Sequence, residues 1–228
     1  PFKLISVISQ AQELIDFQSA QQQSSQKISE QLKTQKYKSC VHIGGGHDHI
    51  LPLLDALEAT KKYDNIVVLN IDAHCDTRVD KINHSGTPFR NFATKTQCNF
   101  HLIQLGIHDY ANSVSTLSPL KNGYVEHIYL EQLKERSQNF TKVFDLFSQV
   151  SFDPYNKKTA LVLSLDCDGV DGTSMQAVSA VNANGVPASF VQEIIKYLNL
   201  KKDRYYFGIY ELNPVYENQA MLSIKTVT

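Results

Sequence analysis

The most informative segment of the chain is Ile66-Val67-Val68-Leu69-Asn70-Ile71-Asp72-Ala73-His74-Cys75-Asp76, because it joins an apolar run to a string of residue types that bind metals. An apolar run of this length and composition predicts a strand that is buried on both faces. In an extended strand, residues i and i+2 project to the same face, so Asp72, His74 and Asp76 can point in one direction. The sequence therefore predicts a polar site at the carboxyl end of a buried strand.

A second stretch repeats this arrangement later in the chain. Leu161-Val162-Leu163-Ser164-Leu165 is again mostly apolar, and Asp166-Cys167-Asp168 follows with two carboxylates at alternating positions. Carboxylates that share one space repel one another unless cations lie between them, so the two strings together predict a multivalent metal centre. Cys75 and Cys167 alternate with the ligands, and we expect both thiols to point away from the metals into packing.

Segments typical of strands and helices alternate along most of the chain. Strands are predicted at residues 40–43, 65–71, 100–106, 125–130, 159–165 and 204–210, and helices at 48–60, 138–150 and 188–199. This alternation predicts one α/β domain over residues 1–228, with three layers (α-β-α) and a mostly parallel central sheet. Residues 7–35 predict a surface helix, which the Gln-Ser run at 21–26 either continues or interrupts as a loop.

Composition excludes several classes of function. The 228 residues carry a net charge of -1 without a basic stripe, so we expect no nucleic-acid partner. No apolar run reaches the roughly 18 residues of a membrane span, and no signal peptide opens the chain, so we expect no membrane association. The four cysteines form no Cys-x-x-Cys pair, which predicts reduced thiols in a cytoplasmic protein.

A glycine-rich turn adds one more candidate ligand. Gly44-Gly45-Gly46-His47 follows a predicted strand, and glycines let a backbone approach a site closely. The candidate metal ligands are His47, Asp72, His74, Asp76, Asp166 and Asp168. Each motif alone is usually a turn or a loop, but their joint position at strand ends favours metal binding. Nitrogen and carboxylate ligands without thiolate favour Mn²⁺, and this number of side chains suits two ions about 3.5–4 Å apart.

These motifs resemble those of the arginase-like ureohydrolases, a family of dinuclear manganese amidinohydrolases. The turn ending in His47, the string from Asp72 to Asp76, and Ser164-Leu165-Asp166-Cys167-Asp168 are similar to the family's three metal motifs, in the same order. Gly208-Ile209-Tyr210-Glu211-Leu212-Asn213-Pro214 resembles its fourth signature. The resemblance covers residues 39–220 and implies the arginase-like fold, two Mn²⁺ ions, a small-molecule amidine substrate and a homo-oligomer.

The resemblance also implies roles for single residues. It implies that Asp72 and Asp166 bridge the two ions. His47 and Asp76 would complete the ligands of one ion, and His74 and Asp168 those of the other. Asp76 would also orient the attacking water, and Glu211 would hold the cationic nitrogen of the substrate. His84 is a candidate proton shuttle, one residue before the family's usual histidine position; the alternative is an exposed loop histidine.

Within the family, three stretches are most similar to the formimidoylglutamases: His84-Ser85-Gly86-Thr87-Pro88-Phe89, Val178-Ser179-Ala180, and residues 105–113. The implied reaction converts N-formimidoyl-L-glutamate and water to L-glutamate and formamide, a step of histidine degradation. The alternatives are a guanidino hydrolase of the arginase or agmatinase type, a single-zinc hydrolase of the deacetylase type, and a metal-binding pseudoenzyme.

A substrate with two carboxylates needs cationic or donor groups in its pocket. Arg78 and Arg90 are the candidate cations, because each follows a site motif and a guanidinium suits a carboxylate. The alternative is that each arginine pairs with a surface acid. Asn112 and Ser113 are further candidate donors.

Some regions depart from the family pattern. Met175-Gln176-Ala177 and Asn182-Ala183-Asn184 differ from the usual rim sequences, so substrate choice can differ from that of the family. Only 46 residues precede His47, and most of them predict helix. Family members normally carry another strand and loop there, so we expect a shortened amino-terminal region.

Overall fold

Parallel strands form the central layer of the chain. The computed structural model describes residues 3–6, 14–34, 40–136, 158–201, 205–218 and 221–227. Within these ranges there are seven strands: β1 (Lys3–Ser6), β2 (Cys40–Ile43), β3 (Asn65–Ile71), β4 (Asn99–Ile107), β5 (Gly123–Tyr129), β6 (Thr159–Asp166) and β7 (Tyr206–Tyr210). All pair in parallel, in the order β1-β2-β7-β6-β3-β4-β5. The strands that precede the two acidic strings, β3 and β6, are therefore neighbours at the centre of the sheet.

Helices lie on both faces of this sheet. The described helices are α1 (Leu14–Thr34), α2 (Ile50–Ala59), α3 (Pro88–Lys95), α4 (Leu130–Arg136), α5 (Ala188–Lys201) and α6 (Leu222–Val227). Successive β3 residues alternate between two hydrophobic clusters: Val67 and Leu69 pack with α5, whereas Ile66 and Val68 pack with α2 and α3. A sheet with an apolar cluster on each face is a three-layer α-β-α arrangement, as the sequence predicted.

The strand register brings the ends of the central strands to one level. Ile71 of β3 pairs with Leu165 of β6, and Leu165 pairs with Ile209 of β7. The segments that follow these residues therefore meet at one edge of the sheet. Close approach there requires Gly169, since a Cβ at this position would lie 2.7 Å from the Cα of Asp72.

Most of the predicted elements are observed. All six predicted strands are confirmed, with ends that differ by a few residues, and α1 continues through the Gln-Ser run because Ser24 and Ile28 are buried on one side of it. The predicted helix at 138–150 lies outside the described residues. Besides β2, a further strand that was not predicted precedes the first metal motif, namely β1. No helix among the described residues is long and apolar enough to cross a membrane.

Candidate metal centre

Four buried side chains converge at the carboxyl ends of the central strands, and we call them the inner cluster: His47, Asp72, Asp76 and Asp166. His47 Nδ1 lies 3.1 Å from Asp72 Oδ2, 2.7 Å from Asp76 Oδ2 and 3.1 Å from Asp166 Oδ2. This nitrogen is buried without a well-formed hydrogen bond among the described residues. Nitrogen and carboxylate lone pairs that face one point are the donor set of a divalent cation.

A second group, the outer cluster, consists of Asp72, His74 and Asp168. His74 Nδ1 lies 3.4 Å from Asp72 Oδ1 and 3.5 Å from Asp168 Oδ1, and the His74 side chain is 32% exposed. Asp72 therefore presents Oδ2 to the inner cluster and Oδ1 to the outer cluster, which is the arrangement of a bridging carboxylate. Among the described residues Asp166 falls in the inner cluster and not in the outer one, and its implied role as a second bridge stays a prediction. The buried Asp168 Oδ1 also lacks a hydrogen bond among the described residues, so the donors of both clusters fit cations.

Backbone and hydroxyl groups hold the ligands in place. Asp72 Oδ1 accepts a hydrogen bond of 2.8 Å from the backbone N–H of His74, and Asp166 Oδ1 accepts one of 2.9 Å from that of Asp168. Ser164 Oγ lies 2.8 Å from His47 Nε2, so Nε2–H can donate to it while Nδ1 remains free for a cation. Sequence reasoning assigned no role to Ser164, although its position two residues before Asp166 places it on the same face of β6.

The pKa values of residues in the two clusters also indicate that the clusters favour positive charge. Burial and the neighbouring Asp72 raise the pKa of Asp76 to about 6, and burial with the same neighbour raises the pKa of Asp166 well above its ordinary value. Hydrogen bonds to Asp168 and Asp72 raise the pKa of His74 to about 11. Without metal, protons supply the charge that the carboxylates need, and bound cations would displace those protons.

Two acidic residues of the site have strained backbone. Asp76 has φ 53° and Glu211 has φ 60°, a left-handed conformation that is uncommon for residues other than glycine. The backbone N–H of Glu211 donates to the carbonyl of Gly45, and Glu211 Oε1 accepts from the backbone N–H of His47, both at 2.8 Å. These bonds fix the Glu211 carboxylate at the turn that carries a ligand. Strain held in this way is common at functional sites.

A cavity of about 110 Å³ opens over the two clusters. Its lining residues come from the strand ends and two loops: His74, Asp76, Arg78, Ser85, Gly86, Asp166, Asp168, Ser179 and Glu211. Arg78 is exposed, and its side chain packs over Gly86, where an added Cβ would lie 3.0 Å from Arg78 Cδ. The structure therefore brings Arg78 to the cavity, as predicted for a substrate-binding residue. Sequence reasoning named no role for Ser85 or Ser179, although both lie in the stretches similar to formimidoylglutamases.

Arg90 does not line this cavity. Its Nε donates to the carbonyl of Thr77 at 2.5 Å, and its Nη2 donates to the carbonyl and the hydroxyl of Ser118 at 3.1 and 2.9 Å. Further bonds reach the carbonyls of Ser115 and Pro119. The guanidinium thus fastens the 115–119 loop to the segment after Asp76, and this contradicts its predicted place in the substrate pocket.

Asn112 and Ser113 also lie away from the cavity lining. Asn112 Oδ1 accepts from the backbone N–H of Cys75 at 2.8 Å, and its Nδ2 donates to the carbonyls of Ala73 and His108. Ser113 Oγ shares a hydrogen bond with the hydroxyl of Ser115. Asn112 therefore supports the backbone between metal ligands, where a substrate donor had been expected.

His84 is the fourth predicted residue outside the cavity lining. Its Nε2 lies 2.9 Å from Asp80 Oδ2, and the side chain is 38% exposed. This placement fits the alternative of an exposed loop histidine. Cys75 and Cys167 are both fully buried, as their alternation with the ligands predicted. In the stretch that departs from the family pattern, Met175 and Ala177 are buried and Gln176 is exposed.

A model of the family described as "Arginase: Arginase family" matches residues 5–227. The chain belongs to the arginase family. It is 29% identical over 189 residues to a formimidoylglutamase of Klebsiella aerogenes, covering 79% of this chain and 80% of the relative. It is 27% identical over 176 residues to one of Staphylococcus carnosus, covering 77% of this chain and 54% of the relative.

Solved structures share the fold. A formimidoylglutamase of Bacillus subtilis has a TM-score of 0.79 at 18% identity, covering 97% of this chain and 66% of that one. A Trypanosoma cruzi formiminoglutamase solved with Mn²⁺ has a TM-score of 0.76 at 20% identity, covering 95% of this chain and 70% of that one. The chain also spans only 56% of a Klebsiella pneumoniae formimidoylglutamase, to which it is 29% identical over 189 residues, so it spans about half the length of several curated relatives.

Proposed function

We propose that this chain is a binuclear manganese hydrolase of a linear C–N amidine bond, and that its substrate is N-formimidoyl-L-glutamate. The observation that carries the proposal is the pair of ligand clusters joined through Asp72 beneath a cavity that Glu211 and Arg78 line. Family membership and the named formimidoylglutamase relatives support it. One ion would be held by the inner cluster and the other by the outer cluster.

Two Mn²⁺ ions, when bound, would supply Lewis acidity that makes water a nucleophile at neutral pH and stabilises charge in the transition state. The chain's own groups would do the rest. Asp76 lies in the inner cluster and lines the cavity, so its carboxylate can orient the attacking water and accept its proton. The water oxygen adds to the formimidoyl carbon, the C–N bond to glutamate breaks, and the glutamate nitrogen leaves with a proton.

Charges around the cavity match the two ends of this substrate. The formimidoyl group is cationic, and the part-buried Glu211 carboxylate, held by the His47 N–H, can bind its nitrogen. The glutamate end is anionic, and no acidic side chain among the described residues pairs with the Arg78 guanidinium. Arg78 can therefore form charge-assisted hydrogen bonds with a substrate carboxylate.

The test is to offer Mn²⁺-loaded protein N-formimidoyl-L-glutamate, L-arginine and agmatine in parallel and to measure the products. We expect glutamate and formamide from the first compound and no urea from the other two. Urea from arginine or agmatine would overturn the proposed substrate and retain the hydrolase chemistry. Two bound ions with no turnover of any of the three would identify the chain as a pseudoenzyme or as acting on another amidine.

A further inference from the structure

A buried aromatic group packs against the metal ligand His47. The Tyr210 ring stacks on the His47 imidazole, with ring centres 5.1 Å apart and planes at 27°. Phe89 meets the same imidazole edge to face, with ring centres 5.5 Å apart at 88°. Both aromatic side chains are fully buried. Contacts with two rings leave the imidazole little freedom to rotate about its side-chain bonds.

The Tyr210 side chain also contacts a second buried histidine. Its hydroxyl lies 3.0 Å from Nδ1 of His42, a buried residue of β2. His42 pairs in register with Gly208 of β7, and Gly208 and Tyr210 lie on the same face of that strand. The ring can therefore fold back across Gly208 and reach His42.

Two glycines make the space for this ring. A Cβ at Gly44 would lie 2.7 Å from Tyr210 Cδ1, and a Cβ at Gly208 would overlap the Tyr210 hydroxyl. Backbone hydrogen bonds tie the two strand ends together on both sides of the ring, from Gly44 N–H to Ile209 O and from Glu211 N–H to Gly45 O. The Tyr210 ring therefore requires glycine at positions 44 and 208, and the backbone around the ring determines its position.

We propose that Tyr210 is a positioning residue for metal binding, and that its ring orients His47 toward the ion of the inner cluster. With the imidazole held by Tyr210 and Phe89, Nδ1 faces the three carboxylates at 2.7–3.1 Å and Nε2 faces Ser164 Oγ. His47 belongs to the inner cluster and not to the outer one, so the effect of the ring is confined to one of the two ions. This inference rests on the proposed binuclear centre.

The experiment measures Mn²⁺ binding by calorimetry and by electron paramagnetic resonance for the whole chain and three variants. Tyr210→Leu removes the ring, and Tyr210→Phe keeps the ring but removes the bond to His42. Tyr206→Leu is the matched control, since Tyr206 is a buried tyrosine at the other end of β7 and its hydroxyl meets that of Tyr63. Changes around a ligand typically weaken metal affinity by about 10- to 100-fold.

We expect wild-type protein and Tyr206→Leu to bind two ions and to give the spectrum of an exchange-coupled pair. Tyr210→Leu should bind one ion normally and the other at least about tenfold more weakly, with the spectrum of an isolated ion at limiting Mn²⁺. Tyr210→Phe should restore the coupled spectrum. In a His47→Ala background, Tyr210→Leu should have no further effect, because it has no imidazole left to orient.

Normal binding of both ions by Tyr210→Leu would overturn the inference and leave the proposed function intact. An equal loss of both ions, or the same loss in Tyr206→Leu, would also overturn it, because it would show general destabilisation. Wild-type protein that binds no Mn²⁺ would overturn the proposed function and this inference together.

Discussion

The floor and the rim of the cavity are built in different ways. The floor consists of the inner and outer clusters, whose residues lie at or after the carboxyl ends of strands, and backbone N–H groups hold the carboxylates of Asp72 and Asp166. The rim consists of loop residues such as Arg78, Ser85 and Ser179, which are exposed. The ligand clusters therefore follow from contiguous segments of sequence, whereas the exposed part of the cavity lining depends on how separate loops pack.

The largest effect should follow from a change in the floor. Asp72→Asn removes the charge that both clusters share and leaves the shape of the side chain nearly unchanged. We expect loss of both Mn²⁺ ions, measured by elemental analysis of dialysed protein, and loss of detectable turnover of N-formimidoyl-L-glutamate. Two ions retained per chain would show that Asp72 is not the bridge between the clusters.

A change in the rim should alter substrate binding and leave the metals in place. Arg78→Ala should raise KM for N-formimidoyl-L-glutamate by about 10- to 100-fold, since a hydrogen bond to a charged group contributes about 1.5–3 kcal/mol. The metal content should stay at the wild-type value, and kcat should fall much less than KM rises, as expected for lost uniform binding. An unchanged KM would remove Arg78 from substrate recognition.

Arg90 offers a matched comparison, because it is an arginine in the same region that bonds to backbone instead of facing the cavity. Arg90→Ala should lower the free energy of unfolding by about 1–3 kcal/mol through the loss of bonds to carbonyls. Chemical denaturation and steady-state kinetics would measure the two effects. A rise in KM as large as that of Arg78→Ala would contradict the distinction between the two arginines.

The smallest effect is expected at His84. Its side chain is partly exposed and pairs with Asp80 outside the cavity lining, so His84→Ala should change kcat by less than about threefold across the pH range. A pH–rate profile of the variant would check this. Loss of one limb of the profile, with rescue by added imidazole, would instead assign His84 as the proton shuttle.

The floor and the rim also differ in how well the sequence predicts them. The β3 and β6 strands and their ligands were predictable, because strand burial and side-chain alternation are properties of contiguous residues. The short β1 was not predicted, and its place at the edge of the sheet follows from its pairing with β2, which lies far from it in sequence. Nearness in sequence to Pro88-Phe89 suggested that Arg90 faces the substrate, but its direction on α3 depends on contacts with distant loops.

The contacts of Tyr210 could not be predicted from the sequence either. Its position before Glu211 is visible in the sequence, but its stacking on His47 requires the pairing of β2 with β7. Likewise, Asn112 could be named as a polar residue near the site, but its three bonds to backbone groups come from the packing of two loops.

The most direct test of the two-cluster floor is an anomalous-difference map from crystals grown with Mn²⁺ and measured at the manganese absorption edge. We predict two peaks about 3.5–4 Å apart, with Asp72 between them. One peak should lie against His47, Asp76 and Asp166, and the other against His74 and Asp168. A single peak, or no peak at either cluster, would contradict the binuclear centre.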